Sequence, residues 1–582
     1  MRRALATALS LLLVAAGAGL AVTSYASHSA ESHSDNMTRI ANFSDGGTYR
    51  VGTDMAFWGD LALLGTLDQG TGPNASPPGG FRMLDVSNPG SPREVGQFEC
   101  WGDQSDVSIW EDIVVLSVDK PTTEDCSAQS GSWEGIRVID ISDRSNPRIV
   151  KSLATDCGSH TNTIYPDLAN RRLIVYVLSY PLAGRYNPAG ATATCNAETH
   201  RKISVVSVPL DDPAGAELIG TPNVGETIGC HDVTVFLPRN IAGAACLTES
   251  QMWDLSDPTQ PKIVARVRNP QINIHHSTTF SNDGRTMVIG DELGGAAASP
   301  GCFGGDAYEL GGLFFYDVAD AAAPALRGAY KLPRTKVSEF CTAHLFNVVP
   351  MRADSDILVS SWYTGATSVI DFTDPSKPTE IAHYIPSDPV SPDEQPTEAA
   401  AWASYWYNGH VFANNFDEDV NSVKPQSRGL DVFRIDEPFT REAVRLDRLN
   451  PQLQEALPGE PQQPGAAGGV QLPPAGSPGS PGAGSPKPAR PRRGTLRLVR
   501  NRLRGGRLRI EVRGTLLRRV RAVTFRLNRR VVRVDRRRPF QVTLRLRAPT
   551  RRVLRMKATV RLADGSRRTL RRTLVPRKLR TR

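Results

Sequence analysis

Short runs in which apolar and polar residues alternate recur along most of the chain, and this period-two pattern predicts half-buried β-strands. One phrase, made of such a run, an Asp/Ser/Asn/Pro turn and a second run, returns seven times. The copies begin at residues 80, 135, 202, 250, 312, 367 and 429. Asp and Asn side chains accept backbone hydrogen bonds in such turns and Pro fixes φ, so each copy predicts a sharp reversal between two strands.

Two further strand-like runs lie between consecutive copies, for example residues 161–165 and 173–178. Four short strands per unit are typical of propeller blades, and a single blade cannot bury both of its faces unless it stacks against neighbours. We therefore predict an all-β chain with a seven-bladed β-propeller over residues 37–445. Residues 37–43 resemble an outermost strand and are expected to complete the seventh blade. A β-solenoid is the alternative, and the long, turn-rich units disfavour it.

The phrase resembles the LVIVD repeat, a propeller-forming repeat of bacterial and archaeal surface proteins. Examples are GIRVIDISDRSNP at 135–147 and TSVIDFTDPSKP at 367–378, and the resemblance covers roughly residues 37 to 440. Copies three and seven depart from it, since Ser207 and Arg434 stand where the other copies carry Asp. The resemblance implies the fold but not an activity, because propellers serve many functions.

The first strand of each unit is expected to line the central channel, and four units place histidine at the same position of that strand. These residues are His160, His231, His276 and His344. Units one, two and seven carry Thr53, Ser105 and Ala401 there. Imidazoles that face one channel can share a transition metal such as Cu, Zn or Fe. Asn162 and Asp232 are candidates for orienting the ring nitrogens.

The alternative is structural, with each histidine hydrogen-bonded to a loop between blades. His275 should point the opposite way from His276 on a strand, which makes it a weaker ligand candidate. The selenium-binding (methanethiol oxidase) proteins are similar in kind, being propellers whose histidines hold a metal at the channel. That resemblance implies a metal-dependent oxidoreductase with the four histidines as ligands, and it assigns no other catalytic residue.

The eight cysteines all fall between residues 100 and 341, and an even number in an exported chain favours disulfides. Partner cysteines are expected in the loop between the second and third strands of a unit, which ends on the same side of the blade. This suggests the pairs Cys100–Cys126, Cys157–Cys195, Cys230–Cys246 and Cys302–Cys341. Sequence alone does not fix this connectivity. In a competing interpretation, Cys157 and Cys341 are thiolate ligands in C-x-x-H pairs.

Residues 1–26 have the form of a cleaved signal peptide. Arg2 and Arg3 precede an apolar run over residues 4–22, which ends in the small-residue site Ser24-Tyr25-Ala26. An uncleaved membrane anchor is the alternative. No later run of the sequence is long and apolar enough to cross a bilayer. We expect an extracellular or envelope-associated protein.

The charge is strongly asymmetric. Residues 491–582 hold 34 of the 69 Lys+Arg residues and three of the 60 Asp+Glu residues. Residues 1–490 therefore hold 35 basic and 57 acidic residues. A Pro/Gly/Ser-rich linker is predicted over residues 456–491. Residues 492–582 alternate apolar residues with arginine, a pattern that resembles small immunoglobulin-like β-sandwiches.

Anionic envelope polymers or lipids are the expected partners of this basic region. Nucleic acid is disfavoured because Phe525 and Phe540 are its only aromatic residues and the compartment is wrong. A merely solvated arginine-rich surface is the alternative. The expected function is a secreted or envelope-associated binding module that uses the top face of the propeller to bind an unidentified ligand. A metal-dependent oxidoreductase is the alternative.

Overall fold

The structure of the protein, a computed structural model, describes residues 31–44, 51–67, 78–102, 104–128, 131–181, 200–292, 311–333, 341–352, 355–387, 398–418, 427–457, 497–503, 507–513, 520–527, 530–535, 540–545, 554–562 and 567–574. The predicted signal peptide, most of the predicted linker, Cys195 and Cys302 lie outside these ranges. The chain forms two compact units, Met1–Pro474 and Ala475–Arg582.

The first unit is a seven-bladed β-propeller, and each blade is an antiparallel sheet. Two strands precede the first blade, β1 (Ser32–His33) and β2 (Met37–Phe43). From the channel outward, blade 1 contains β3 (Val51–Trp58), β4 (Leu61–Leu67), β5 (Gly80–Asp85) and β6 (Arg93–Glu99). Blade 2 contains β7 (Val107–Trp110), β8 (Ile113–Thr122), β9 (Trp133–Asp140) and β10 (Arg148–Ala154). Blade 3 contains β11 (Thr161–Asp167), β12 (Arg172–Leu178), β13 (Ser204–Pro209) and β14 (Glu217–Gly220).

The remaining blades follow the same order. Blade 4 contains β15 (Asp232–Phe236), β16 (Ile241–Ala245), β17 (Ser250–Asp254) and β18 (Lys262–Val267). Blade 5 contains β19 (His275–Phe280), β20 (Thr286–Asp291), β21 (Leu313–Asp317) and β22 (Ala325–Tyr330). Blade 6 contains β23 (Phe346–Val348), β24 (Ile357–Ser361), β25 (Thr367–Asp371) and β26 (Thr379–Ile385). Blade 7 contains β27 (Glu398–Tyr407), β28 (His410–Glu418) and β29 (Ser427–Ile435). Short helical turns occur at Leu168–Asn170, Pro213–Gly215, Leu237–Arg239 and Phe439–Glu442.

The N-terminal strand closes the ring as the sequence predicted. Strand β2 pairs antiparallel with β29 and supplies the fourth strand of blade 7, with Met37 opposite Ile435. Strand β1 extends the outer edge of blade 6 through β26. The circle is therefore completed by hydrogen bonds between the two ends of the propeller chain.

The aspartates of the repeated phrase stabilise the turn between its two strands. Asp140 accepts a hydrogen bond from the backbone N–H of Ser142 at 2.9 Å and pairs with Arg148 on the next strand at 2.8 Å. Asp85 and Asp371 accept equivalent bonds from the residue two positions later. This Asx-turn geometry satisfies the turn's backbone locally, which explains why the phrase carries Asp at that position.

Residues 447–457, the closing segment, extend the propeller beyond the predicted limit of residue 445. Its strands β30 (Arg448–Leu449) and β31 (Leu453–Gln454) pair with the innermost strands of blades 1 and 4. Asn450 exchanges two hydrogen bonds with the backbone of Ile109 in blade 2. The segment thus crosses the channel at the end where these innermost strands finish.

The described residues of the second unit form seven strands in two antiparallel sheets. They are β32 (Arg497–Leu503), β33 (Arg507–Arg513), β34 (Val520–Leu527), β35 (Arg530–Asp535), β36 (Gln541–Arg545), β37 (Leu554–Leu562) and β38 (Arg567–Leu574). The sheet orders are β32-β33-β36 and β35-β34-β37-β38. The immunoglobulin-like assignment stays a prediction. Among the described residues, no helix has the length and apolar character needed to span a membrane.

Candidate metal centre

The four predicted histidines meet in the channel. Their rings form a continuous series from blade 3 to blade 6, with centroid separations of 4.4 Å between His160 and His231, 3.8 Å between His231 and His276, and 4.5 Å between His276 and His344. All four are at most 5% exposed. The register along the innermost strands therefore brings together side chains that are up to 184 residues apart in sequence.

The first ring of the series is oriented by a carboxylate. His160 Nδ1 lies 2.5 Å from Asp119 Oδ2, and both side chains are buried. The opposite ring nitrogen, Nε2, lies 2.9 Å from His231 Nε2 and 3.4 Å from the Tyr180 hydroxyl. Since the carboxylate accepts the Nδ1–H, the Nε2 of neutral His160 carries a lone pair that faces the channel.

The last ring is oriented by a backbone carbonyl. His344 Nδ1 donates to the Trp402 carbonyl at 2.5 Å, and the ring also contacts Tyr363 with centroids 4.4 Å apart. This contact leaves His344 Nε2 as the nitrogen able to bind a metal.

A carboxylate from blade 5 completes the central part of the series. Glu292 Oε2 lies 3.7 Å from His276 Nε2, and Glu292 Oε1 accepts a 2.6 Å hydrogen bond from the Tyr363 hydroxyl. Ligand atoms of His231, His276 and Glu292 all lie within 4.8 Å of one another. Two imidazoles and a carboxylate are a donor set typical of zinc and non-haem iron sites.

Burial favours the neutral form of His231, His276 and His344. It lowers the pKa of His344 to about 3, with the Trp402 carbonyl opposing the shift. It lowers the pKa of His231 and His276 well below the usual value, and the neighbouring imidazoles lower both further. Neutral imidazole is the form that coordinates metals.

A second polar cluster occupies the position that follows the histidine position on the innermost strands. Asp54, Asp106 and Asp232 are buried there. Asp54 accepts hydrogen bonds from the Tyr405 hydroxyl and, at 3.0 Å, from the Gln452 amide of the closing segment. Burial raises the pKa of Asp54, and it raises that of Asp106 well above its usual value, with the charge of Asp54 as a second cause.

The two clusters share one small cavity of about 20 Å³. Its walls include both kinds of side chain: Thr53, Asp54, Gln104, Asp106, Thr161, His231, His276, His344, Leu345 and Trp402. A space of this size accommodates a single water molecule or ion.

The predicted orienting residues have other partners. The Asn162 amide donates to Asp106 Oδ2 at 3.0 Å, and Asp232 Oδ1 accepts from its neighbour Val233 at 2.8 Å. Within the described part of the chain, neither Asn162 nor Asp232 hydrogen-bonds an imidazole. Both side chains belong to the aspartate cluster and not to the ring series. His275 lies apart from the series and contacts Ser250 Oγ through Nδ1 at 2.8 Å.

Sequence reasoning missed the residues that orient the rings. Asp119 lies in the last part of the second strand β8 and Glu292 directly follows the second strand β20, so both are outside the aligned position. The carboxylates Asp54 and Asp106 carried a usable signal, since Thr53-Asp54, Ser105-Asp106 and His231-Asp232 repeat the same dipeptide position.

The cysteines stiffen the same face. Cys100 is bonded to Cys126, and Cys230, which precedes His231, is bonded to Cys246. Cys157 and Cys341 are also disulfide-bonded, and their predicted partners Cys195 and Cys302 lie outside the described residues. Cys157 is close to Asp156 and His200, yet a disulfide sulfur is not a thiolate ligand.

Comparisons with known proteins support the repeat assignment. The sequence model of the LVIVD repeat matches residues 76–99 and 131–155. A search of curated proteins finds no match.

Several solved structures are similar at low sequence identity. A protein from Lactobacillus plantarum has a TM-score of 0.41 and 14% identity, over 67% of this chain and 99% of that one. The Pseudomonas aeruginosa periplasmic gluconolactonase PpgL has a TM-score of 0.40 and 12% identity, over 64% and 100%. A hypothetical selenium-binding protein from Sulfolobus tokodaii has a TM-score of 0.38 and 9% identity, over 56% and 76%.

The repeat match agrees with the described blades, since residues 76–99 span strands β5 and β6 and residues 131–155 span β9 and β10. Each matched segment is thus the outer strand pair of one blade, including its Asx turn. The chain carries LVIVD repeats, and they form blades of a seven-bladed β-propeller.

Proposed function

We propose that the protein is an exported β-propeller that binds a transition metal through the imidazoles of its channel. The observation that carries the proposal is the orientation of the outer rings: His160 and His344 give their Nδ1–H to Asp119 and to the Trp402 carbonyl. Metal-binding histidines usually have such a second partner, because it fixes the tautomer and presents the other nitrogen to the ion.

The spacing of the nitrogens supports this proposal. Two ligands at about 2.0–2.1 Å from a tetrahedral ion lie roughly 3.3 Å apart. The 2.9 Å separation of the Nε2 atoms of His160 and His231 needs to widen by only a few tenths of an ångström. Imidazole ligands with a nearby carboxylate suit Cu, Zn or Fe, and the ion would supply Lewis acidity or, for Cu and Fe, redox chemistry.

The first test is metal content. Protein purified from its native compartment is expected to contain stoichiometric Cu, Zn or Fe, and the double variant His231→Ala/His276→Ala is expected to lose it. His275→Ala is the matched control, because this adjacent imidazole contacts Ser250 instead of the ring series. Wild-type protein that stays metal-free after incubation with each ion would exclude the proposal.

A metal-dependent oxidoreductase is the second candidate. The observation that favours it is the presence of Tyr180 and Tyr363 beside the imidazoles, where phenols can donate protons or electrons to a bound substrate. Oxygen consumption with small thiols, absent in His231→Ala/His276→Ala, would distinguish this candidate from a binding module.

For the second unit, we propose that its charge attaches the protein to anionic polymers or lipids of the cell envelope. Support comes from the balance of 34 basic against three acidic residues over residues 491–582. Such a surface attracts polyanions over a Debye length and does so less at high salt.

A further inference from the structure

Tyr363 has a backbone conformation that bulky residues rarely adopt. It lies in the tight turn between β24 and β25, and its φ of 46° falls in the left-handed region. Its carbonyl accepts two backbone hydrogen bonds that hold this conformation, from Ala366 at 2.8 Å and from Ala401 of blade 7 at 3.0 Å. Strained residues of this kind persist only where their surroundings fix them, and they concentrate at functional sites.

The side chain of Tyr363 connects the imidazole series with Glu292. Tyr363 is 2% exposed, and its ring lies 4.4 Å from that of His344 and 6.2 Å from that of Trp402, measured between centroids. Its hydroxyl donates to Glu292 Oε1 at 2.6 Å. The phenol is therefore in contact with side chains of blades 5, 6 and 7.

The two carboxylate oxygens of Glu292 have different neighbours. Oε1 accepts the hydrogen bond from Tyr363, whereas Oε2 lies 3.7 Å from His276 Nε2. Two ligand atoms that are each about 2.0–2.2 Å from one ion lie roughly 3–4 Å apart, so His276 and Glu292 can share an ion with little movement. The backbone N–H of Glu292 donates to the Ile274 carbonyl at 3.2 Å, which fixes the residue from a second side.

We propose that Tyr363 is a positioning residue that holds Glu292 as the anionic ligand of the metal centre, and that this carboxylate selects a divalent ion such as Zn²⁺ or Fe²⁺ over Cu⁺. The inference rests on the proposed function, because it concerns the same centre. The phenol orients Glu292 as the Asp119 carboxylate orients His160.

The selectivity follows from charge. Imidazole ligands are neutral, so they leave the charge of a buried ion uncompensated, and burial makes such a charge costly. The attraction between one carboxylate and a divalent ion is about twice that for a monovalent ion at the same distance. Loss of the Glu292 charge should therefore weaken the binding of Zn²⁺ much more than that of Cu⁺.

The probe is Co²⁺, whose visible absorption spectrum reports the ligands of the bound ion, and competition with Zn²⁺ or Cu⁺ gives their affinities. In chelator-treated full-length protein, Tyr363→Phe keeps the ring against His344 and removes the hydroxyl. We expect it to weaken Co²⁺ and Zn²⁺ binding about tenfold or more and to change the Co²⁺ spectrum, while Cu⁺ binding changes less. Tyr176→Phe is the matched control, because this buried phenol donates to the Pro258 carbonyl instead, at 2.9 Å.

A double variant tests whether Tyr363 acts through Glu292. Glu292→Gln keeps the acceptor for the Tyr363 hydroxyl but removes the charge, so it should weaken Zn²⁺ binding at least as much as Tyr363→Phe does. Adding Tyr363→Phe to Glu292→Gln should cost no further affinity, whereas a tyrosine with a merely structural role would cost the same in both backgrounds.

The outcomes separate this inference from the proposed function. If wild-type protein binds Co²⁺ and Glu292→Gln or Tyr363→Phe binds it with the same affinity and spectrum, the role of Tyr363 is overturned and the histidine centre stands. Additive losses in the double variant also overturn that role. Wild-type protein that binds none of Co²⁺, Zn²⁺ and Cu⁺ overturns both proposals.

Discussion

At the residue scale, the carboxyl groups of the propeller divide into two classes with opposite effects on stability. Hydrogen bonds from serine lower the pKa of the turn aspartates Asp85, Asp140 and Asp374. Their contribution to stability is complete above the unfolded pKa near 4 and is lost as the pH falls through the folded pKa. Burial instead raises the pKa of Asp232 to about 8 and of Glu134 to about 7.

Glu134 gives the clearest pH prediction, because it is not part of either channel cluster. Burial and the charge of Asp119 raise its pKa to about 7, so the folded state binds its proton more tightly than the unfolded state does. Stability from this group is present at acidic pH and lost as the pH rises from about 4.5 to 7. We expect Glu134→Gln to raise the free energy of unfolding at pH 8 by about 1–3 kcal/mol and to change it little at pH 4.

Urea unfolding at the two pH values measures this effect. Asp211, an exposed carboxylate that pairs with Arg171, offers a control. Asp211→Asn removes a carboxylate whose pKa is lowered by Arg171, whereas the pKa of Glu134 is raised. Equal changes at pH 4 and pH 8 for Glu134→Gln would contradict the prediction.

The part of the site that is determined by strand register was predictable from the sequence. His160, His231, His276 and His344 occupy one position of a repeated strand, so aligning the units was enough to bring their rings together. Asp119 and Glu292 were not predictable in this way. Each reaches a ring from the end of a second strand, and the contact depends on how tightly neighbouring blades pack.

At the scale of elements, the blades share a β-bulge in the outer strand pair that the alternating pattern of the sequence does not reveal. In all seven blades the fourth strand pairs with the third through an irregularity, for example between Ile149 and Lys151 in blade 2 and between Arg39 and Ala41 in blade 7. A bulge increases local twist. The seven-fold repeat and the closure by β2 were predictable, whereas the bulges and the closing segment were not, because neither has a distinctive periodicity.

The closing segment gives a prediction at this scale. Leu449 and Leu453 of this segment are buried, and its Gln452 donates to Asp54. A chain that ends at Leu446 is expected to lose about 3–6 kcal/mol of unfolding free energy relative to one that ends at Leu457. Calorimetry or urea unfolding of the two truncations checks this, and identical midpoints would show that the segment contributes nothing.

At the scale of the whole molecule, an acidic propeller is joined to a basic unit with the opposite charge. Residues 1–490 carry 57 acidic against 35 basic residues, so the propeller alone should not adhere to an anionic surface. The two proposed roles, envelope attachment and metal binding, thus fall on different parts of the chain.

This division predicts how truncation changes location. A chain that ends at Pro458 is expected to leave the cell envelope and to appear in the medium, while full-length protein stays attached and is released by high salt. Immunoblots of envelope and medium fractions measure the partition. Retention of the truncated chain on envelopes would contradict attachment by the basic unit.

The position of the closing segment also determines how the molecule carries mechanical load. If the second unit is held on a surface while the propeller is pulled, tension travels along the chain to Gln454 and Leu453 before it reaches any blade. These two residues form a short parallel pairing with blade 4, and Gln452 follows directly. At this end of the propeller, tension therefore loads the closing segment first, including the hydrogen bond from Gln452 to Asp54.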